Sequence, residues 1–154
     1  MNFNLKIIIN WLFLIFWMGL IFYLSSRPFL SSGFTPKEDF ILRKIAHIGE
    51  FAILTFLFYR AFKNHKIFSN PIFWSAIFSI FYAVSDEAHQ LFVPGRAGKA
   101  EDIIINGIGV LIAAGLVRRE EKRFGKIPNY KPPRRTSQRG RQITNKTQLT
   151  NRDL

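Results

Sequence analysis

Four apolar stretches, separated by short polar segments, organise the first 117 positions of the chain. The first runs from Ile7 to Leu24 and is broken only by Asn10. The others run from Ile41 to Phe62, from Ile72 to Val93 and from Ile103 to Val117. At about 1.5 Å of rise per residue, the first makes a helix of roughly 27 Å, near the thickness of bilayer hydrocarbon. A secretory signal has a shorter apolar region, usually about 7–15 residues, and ends in small residues. Tyr23-Leu24-Ser25-Ser26-Arg27 is a poor cleavage site, so the first run reads as a retained helix. Pro71 is suited to a helix start and Pro94-Gly95 to a helix end. The pattern predicts an all-α fold, a four-helix transmembrane bundle over residues 1–117. A disordered, basic, cytoplasmic C-terminal tail is expected over residues 118–154.

Composition sharpens that division. Hydrophobic residues make up 48% of the chain and phenylalanine alone contributes 17, nearly all of it before Arg118. The tail carries twelve Lys and Arg against Glu120, Glu121 and Asp153, so it supplies nine of the net +12 charges. Pro128, Pro132 and Pro133 and the scarcity of apolar residues leave this tail little from which to build a core. The absence of cysteine excludes disulfides and thiol chemistry.

Four spans put both termini on one side. That side holds sixteen Lys and Arg: Lys6, Arg60, Lys63, Lys66 and the tail's twelve. The opposite side holds six: Arg27, Lys37, Arg43, Lys44, Arg96 and Lys99. The positive-inside rule therefore places both termini in the cytoplasm of a multi-pass plasma (inner) membrane protein. Without the tail the comparison is four against six, so the tail decides the orientation.

The same topology gathers the polar residues of the helices at the opposite, extracytoplasmic end. The second run begins with Arg43, Lys44, His47 and Glu50, and the third ends with Asp86, Glu87, His89 and Gln90. Arg96 lies in the loop that follows, and the fourth run is entered through Asp102 and Asn106. Arg43, His47, Glu50 and Leu54 share a helical face, Asp86 shares one with His89 and Gln90, and Asp102 shares one with Asn106, Gly109 and Ala113. A charge facing lipid at mid-membrane costs about 2.5–3.5 kcal/mol on insertion scales. These faces are expected to turn inward around one polar pocket, with Glu50, Asp86, Glu87 and Asp102 converging. A purely structural alternative is that Arg43 or Arg96 pairs with Asp86 or Asp102 only to hold helices together. For His89 alone a structural hydrogen bond is the simpler expectation. Gly107, Gly109, Ala113, Ala114 and Gly115 make the fourth helix small enough for close helix–helix approach.

Lys44-Ile-Ala-His47-Ile-Gly-Glu50-Phe51, Asp86-Glu87-Ala-His89-Gln90-Leu-Phe-Val-Pro94-Gly95-Arg96 and Asp102-Ile-Ile-Ile-Asn106-Gly-Ile-Gly109 resemble the VanZ-like family of integral membrane proteins. The resemblance covers about residues 5–117. It departs where the family often has an acid before the lysine and this chain has Arg43. The name-giving members are associated with low-level resistance to teicoplanin, a glycopeptide that acts on cell-wall precursors outside the membrane. The resemblance implies a cell-envelope role without naming a reaction.

Three function classes fit these residues. The first is a binding protein for a lipid-linked or head-group ligand of the cell envelope, in which Arg43, Lys44 and Arg96 meet phosphate. The second is a metal-dependent membrane hydrolase or transferase acting on a phosphorylated lipid. There Asp86, Glu87, Glu50 and Asp102 would hold a divalent cation and His47 or His89 would act as base. Neither HExxH nor Gly-x-Ser-x-Gly occurs, so the motifs leave enzymatic activity undecided and assign no cofactor and no metal site. The third, a proton-coupled carrier, is disfavoured because four short helices are few for alternating access, although an oligomer would relieve that. Membrane lipids are the expected partners. The basic tail is read as adsorbing to anionic lipid, at about 1 kcal/mol per basic residue near the surface, in preference to binding nucleic acid.

Overall fold

A computed structural model describes residues 3–27, 35–96 and 98–125. Four helices make up the fold, and no strand occurs among the described residues: α1 (Phe3–Ser25), α2 (Pro36–Phe62), α3 (Pro71–Gln90) and α4 (Ala100–Gly125). They coincide with the four apolar runs. By length and composition, α1 (over Leu5–Ser25) and α4 (over Ala100–Arg123) are long and apolar enough to cross a membrane. The apolar positions of α2 are interrupted by Arg43, Lys44, His47 and Glu50, and those of α3 end in Asp86–Gln90.

The helix ends are written in the local sequence. Pro36 and Pro71 occupy the first turns of α2 and α3, where the missing N–H is not needed. Asn70 Oδ1 accepts from Phe73 N at 3.2 Å, capping α3. Glu38 accepts from the Thr35 hydroxyl at 2.8 Å and from its backbone N–H at 3.0 Å, tying the first turn of α2 to its cap. The hydroxyl, and then the backbone N–H, of Thr35 hold the Glu38 carboxyl below its ordinary range. This tie is therefore complete at neutral pH and is lost as the pH falls through that lowered folded-state value. Gly95, with φ 80°, makes the left-handed turn after α3 that an L side chain resists.

The helices bury an apolar core that includes Leu14, Ile21, Phe51, Leu54 and Phe62, and α3 adds a polar stripe to it. On α3 the buried stripe is Ser75, Ser79, Ala83, Asp86, Glu87 and Gln90, while Phe73, Phe78, Phe81 and Val84 of the same helix are exposed. Thr55 of α2 donates to Ser79 Oγ at 2.9 Å across the α2–α3 seam. Small residues at the seam let the two helix backbones approach closely. Asn10, the interruption in the first apolar run, donates to Arg60 O at 3.1 Å. Trp17 Nε1 donates to Glu50 O at 3.1 Å and Tyr82 OH to Met18 O at 2.6 Å. Phe62 stacks on Phe68 with ring centroids 4.0 Å apart, beside Phe58 and Phe78 at 5.4 and 5.3 Å. This aromatic cluster fills the end of the helices away from Glu50, Asp86, Glu87 and Asp102.

On α4, Gly109 lies so close to α2 that an added Cβ would overlap the carbonyl of Ile48 and meet Ala52 N. One compact unit ends at Glu120, and α4 continues to Gly125. The expected boundary at Val117 is thus passed by eight helical residues, Arg118 to Gly125. Glu, Lys and Arg are good helix formers, and Lys122 and Arg123 in the last turn suit the negative end of the helix dipole. The remainder of the expected disordered tail, residues 126–154, lies outside the described residues.

Candidate functional site

The polar ends of the helices enclose two neighbouring cavities. The larger, about 240 Å³, is lined on its charged side by Arg43, Lys44, His47, Arg96, Lys99 and Asp102, with Gln90 beside them. The smaller, about 90 Å³, is lined by Ser25, Arg43, His47, Glu50 and Arg96 among others. Arg43, His47 and Arg96 belong to both.

Helical spacing explains the distribution. Residues 43, 47 and 50 of α2 fall on one face and reach the cavities together. On α3, Asp86 and Glu87 are consecutive and point about 100° apart. Asp86 is buried and accepts from Gln90 Nε2 at 2.9 Å, one turn on. The same amide donates to Ser25 Oγ of α1 at 3.2 Å. Glu87, 4% exposed, accepts from the backbone N–H of Lys99 at 3.2 Å through Oε2, and its Oε1 has no partner among the described residues. One potential ligand atom of Glu87 lies within 4.8 Å of one on His47 and one on Asp102. His47 Nδ1 is likewise buried, with no partner among the described residues.

The pairing between charges differs from the sequence expectation. Asp102 of α4 forms an ion pair with Lys44 of α2, a partner the sequence reading does not name. Asn106 follows Asp102 at a spacing of four, and the turn above Asn106 presses Gly109 onto α2, which sets Asp102 opposite Lys44. The Arg96 guanidinium instead donates to Leu24 O at 3.0 Å and Arg27 O at 3.1 Å. It thereby ties the loop after α3 to the chain at and just beyond the end of α1, where Leu24 O also accepts from Arg27 N at 3.2 Å. Two donors are used in this way, leaving three of its five N–H groups for the cavities.

His89 stands apart from the rest of the expected set. It hydrogen-bonds Ser26 Oγ at 3.0 Å and stacks on Phe22 with centroids 4.4 Å apart. It lines neither cavity, because the last turn of α1 offers both a hydroxyl and a ring on its side of α3. Asn106 is wholly buried, and neither of its side-chain polar atoms has a partner among the described residues. Lys99, Phe40 and Ser25, outside the expected set, line the cavities. The signal for Lys99 is its place in the loop after Pro94-Gly95-Arg96, three residues before Asp102.

Cavity and sequence motifs lie within the stretch matched by a known family: the family model described as VanZ/LLP1 matches residues 10–120. No curated protein and no solved structure matches the chain.

Proposed function

The chain belongs to the VanZ/LLP1 family, and from that membership and the site's geometry we propose a four-span membrane protein that binds a phosphate-bearing cell-envelope ligand. Both termini lie in the cytoplasm, and the cavities open on the extracytoplasmic side. The ligand is the head group of a lipid-linked precursor or a related anionic lipid. The observation that carries this reading is the larger cavity, where Arg43, Lys44, Arg96 and Lys99 outnumber Asp102. A volume of about 240 Å³ suits a phosphate or diphosphate, and ionised donors make the strongest hydrogen bonds to such groups. Four spans are supported by the buried polar stripe of α3 and by exposed Phe13, Phe16, Phe81 and Leu111, which are 55, 67, 71 and 72% accessible. Apolar surface on that scale fits lipid better than water. Arg43, Arg96 and Lys99 line the larger cavity and carry the anion, and Lys44 adds its charge from within its pair with Asp102.

Binding of a polyprenyl diphosphate to the full chain in micelles tests the ligand. Arg43→Gln with Lys99→Gln is expected to weaken it by about tenfold or more, since each hydrogen bond to a charged group contributes about 1.5–3 kcal/mol. Equal binding of a neutral polyprenol by the unaltered protein would overturn the phosphate reading. In cells, the protein is expected to raise survival in teicoplanin, and Glu50→Gln to remove that protection at unchanged expression.

Topology has its own test. Cysteines replacing Lys37 and Phe92 are expected to react with an impermeant thiol reagent in intact cells, and one replacing Lys66 is not. All three native side chains are exposed, whereas a cysteine at Gly98 would meet Glu87 O and Leu91 and report strain. Labelling of position 66 alone would invert the orientation.

A further inference from the structure

His47, Glu87 and Asp102 come from three different helices, α2, α3 and α4, yet each brings a potential ligand atom within 4.8 Å of the other two. Burial of Glu87 strengthens the observation. The Lys99 N–H holds Oε2, while Oε1 is sequestered from water with no donor in reach among the described residues. Leaving a buried acceptor unmet costs about 1–3 kcal/mol, more for a charged group. The same holds for Nδ1 of His47, three helical residues from Glu50 and directed to the same interior.

We propose that His47, Glu87 and Asp102 form a binding site for a divalent transition-metal cation of the Zn²⁺ class. A cation answers all three groups at once: an imidazole lone pair, a buried carboxylate oxygen and a second carboxylate. The donor set selects among cations. Mg²⁺ and Ca²⁺ take oxygen ligands, with Mg²⁺ keeping much of its water. Imidazole with carboxylate suits Zn²⁺ and its neighbours. Bonds of about 2.0–2.2 Å place tetrahedral ligand atoms roughly 3.4 Å apart, so separations up to 4.8 Å close by small side-chain rotations.

Lys44 does not preclude the ion. Its ammonium pairs with Oδ1 of Asp102, leaving Oδ2 outside that pair. A charged outer partner of this kind fixes the carboxylate and orients it toward a metal. Three protein ligands leave a coordination position over. His47 and Asp102 line the larger cavity, so that position faces whatever the cavity holds. The metal site stands whether or not the cavity's ligand is a phosphate. It also narrows the sequence reading, which assigned no metal: Glu50 and Asp86 lie outside the ligand set, and Glu87 is inside it.

The test uses the full chain, purified in micelles without a histidine tag and stripped with chelator. Titration with Zn²⁺ is expected to give one ion per chain, with Mg²⁺ failing to compete. Glu87→Gln and His47→Gln should each weaken Zn²⁺ binding by more than about tenfold, the lower end of what even an outer partner costs. Glu101→Gln, which alters an exposed carboxylate beside Asp102, should leave it unchanged. Co²⁺ loading should give a visible absorption band that both ligand variants lose. If Glu87→Gln fails to fold, His47→Gln carries the test. Stoichiometric binding that survives both substitutions, absence of binding, or equal binding of Mg²⁺ would overturn the site.

Discussion

Gly109→Val is expected to lower the stability of the protein by about 3 kcal/mol, the upper part of the usual range for overpacking, as read from thermal unfolding in micelles. The first added carbon would already overlap the Ile48 carbonyl and crowd Ala52 N, and backbone atoms cannot rotate aside as a side chain does. Either α4 moves away from α2 or the chain tolerates the clash at the expense of nearby packing. Because Asp102 sits two turns before Gly109 on the same helix, separation would also loosen its pair with Lys44. Gly115→Ala on the same helix is the comparison. No atom lies within 4 Å of a Cβ there, so the variant should match or exceed the parent by about 0.5–1 kcal/mol. Equal losses at both positions would mean that α4 does not rest on α2 through Gly109.

The second large effect is expected at the α2–α4 ion pair. Lys44→Met should destabilise the chain by about 3 kcal/mol, the lower end of the range for removing one partner of a buried pair. The side chains are 17% and 15% exposed, so water screens them little. Lys44→Met combined with Asp102→Leu should recover most of the loss, because no uncompensated charge then remains in the interior. Added Zn²⁺ distinguishes the partners of Asp102 further: it should raise the melting temperature of the Lys44→Met variant and leave that of the double variant unmoved. A double variant less stable than either single one would show that the pair contributes through packing and not through charge.

Four helices and their common polar end were legible from run length, helical spacing and alternation of sides. Those features depend only on the chain's own periodicity and on how often it reverses direction. What tertiary packing decides was not legible. Asp86 and Glu87 are adjacent acids with the same local chemistry, yet Asp86 satisfies Gln90 while Glu87 faces His47 and Asp102. Spacing along α3 cannot rank them without the position of α4. Arg43 and Arg96 were the expected partners of Asp102, and the close approach of α4 to α2 at Gly109 sets Lys44 there instead. The expected end of α4 at Val117 followed the loss of apolar residues. Apolarity marks where burial stops, while Arg118–Arg123 have the propensity to keep the helix going.

Arg96 is anchored on the carbonyls of Leu24 and Arg27, the Lys99 N–H on Glu87, and Gly95 fixes the turn that leads into them. The rim of the larger cavity therefore enters an encounter with its geometry already chosen. Immobilising a flexible side chain at the moment of binding costs about 0.5–1.5 kcal/mol, and here folding has met that cost for Arg96 beforehand. A ligand that fits this rim loses mainly its own freedom, and differences between ligands should appear as differences in how long each one stays.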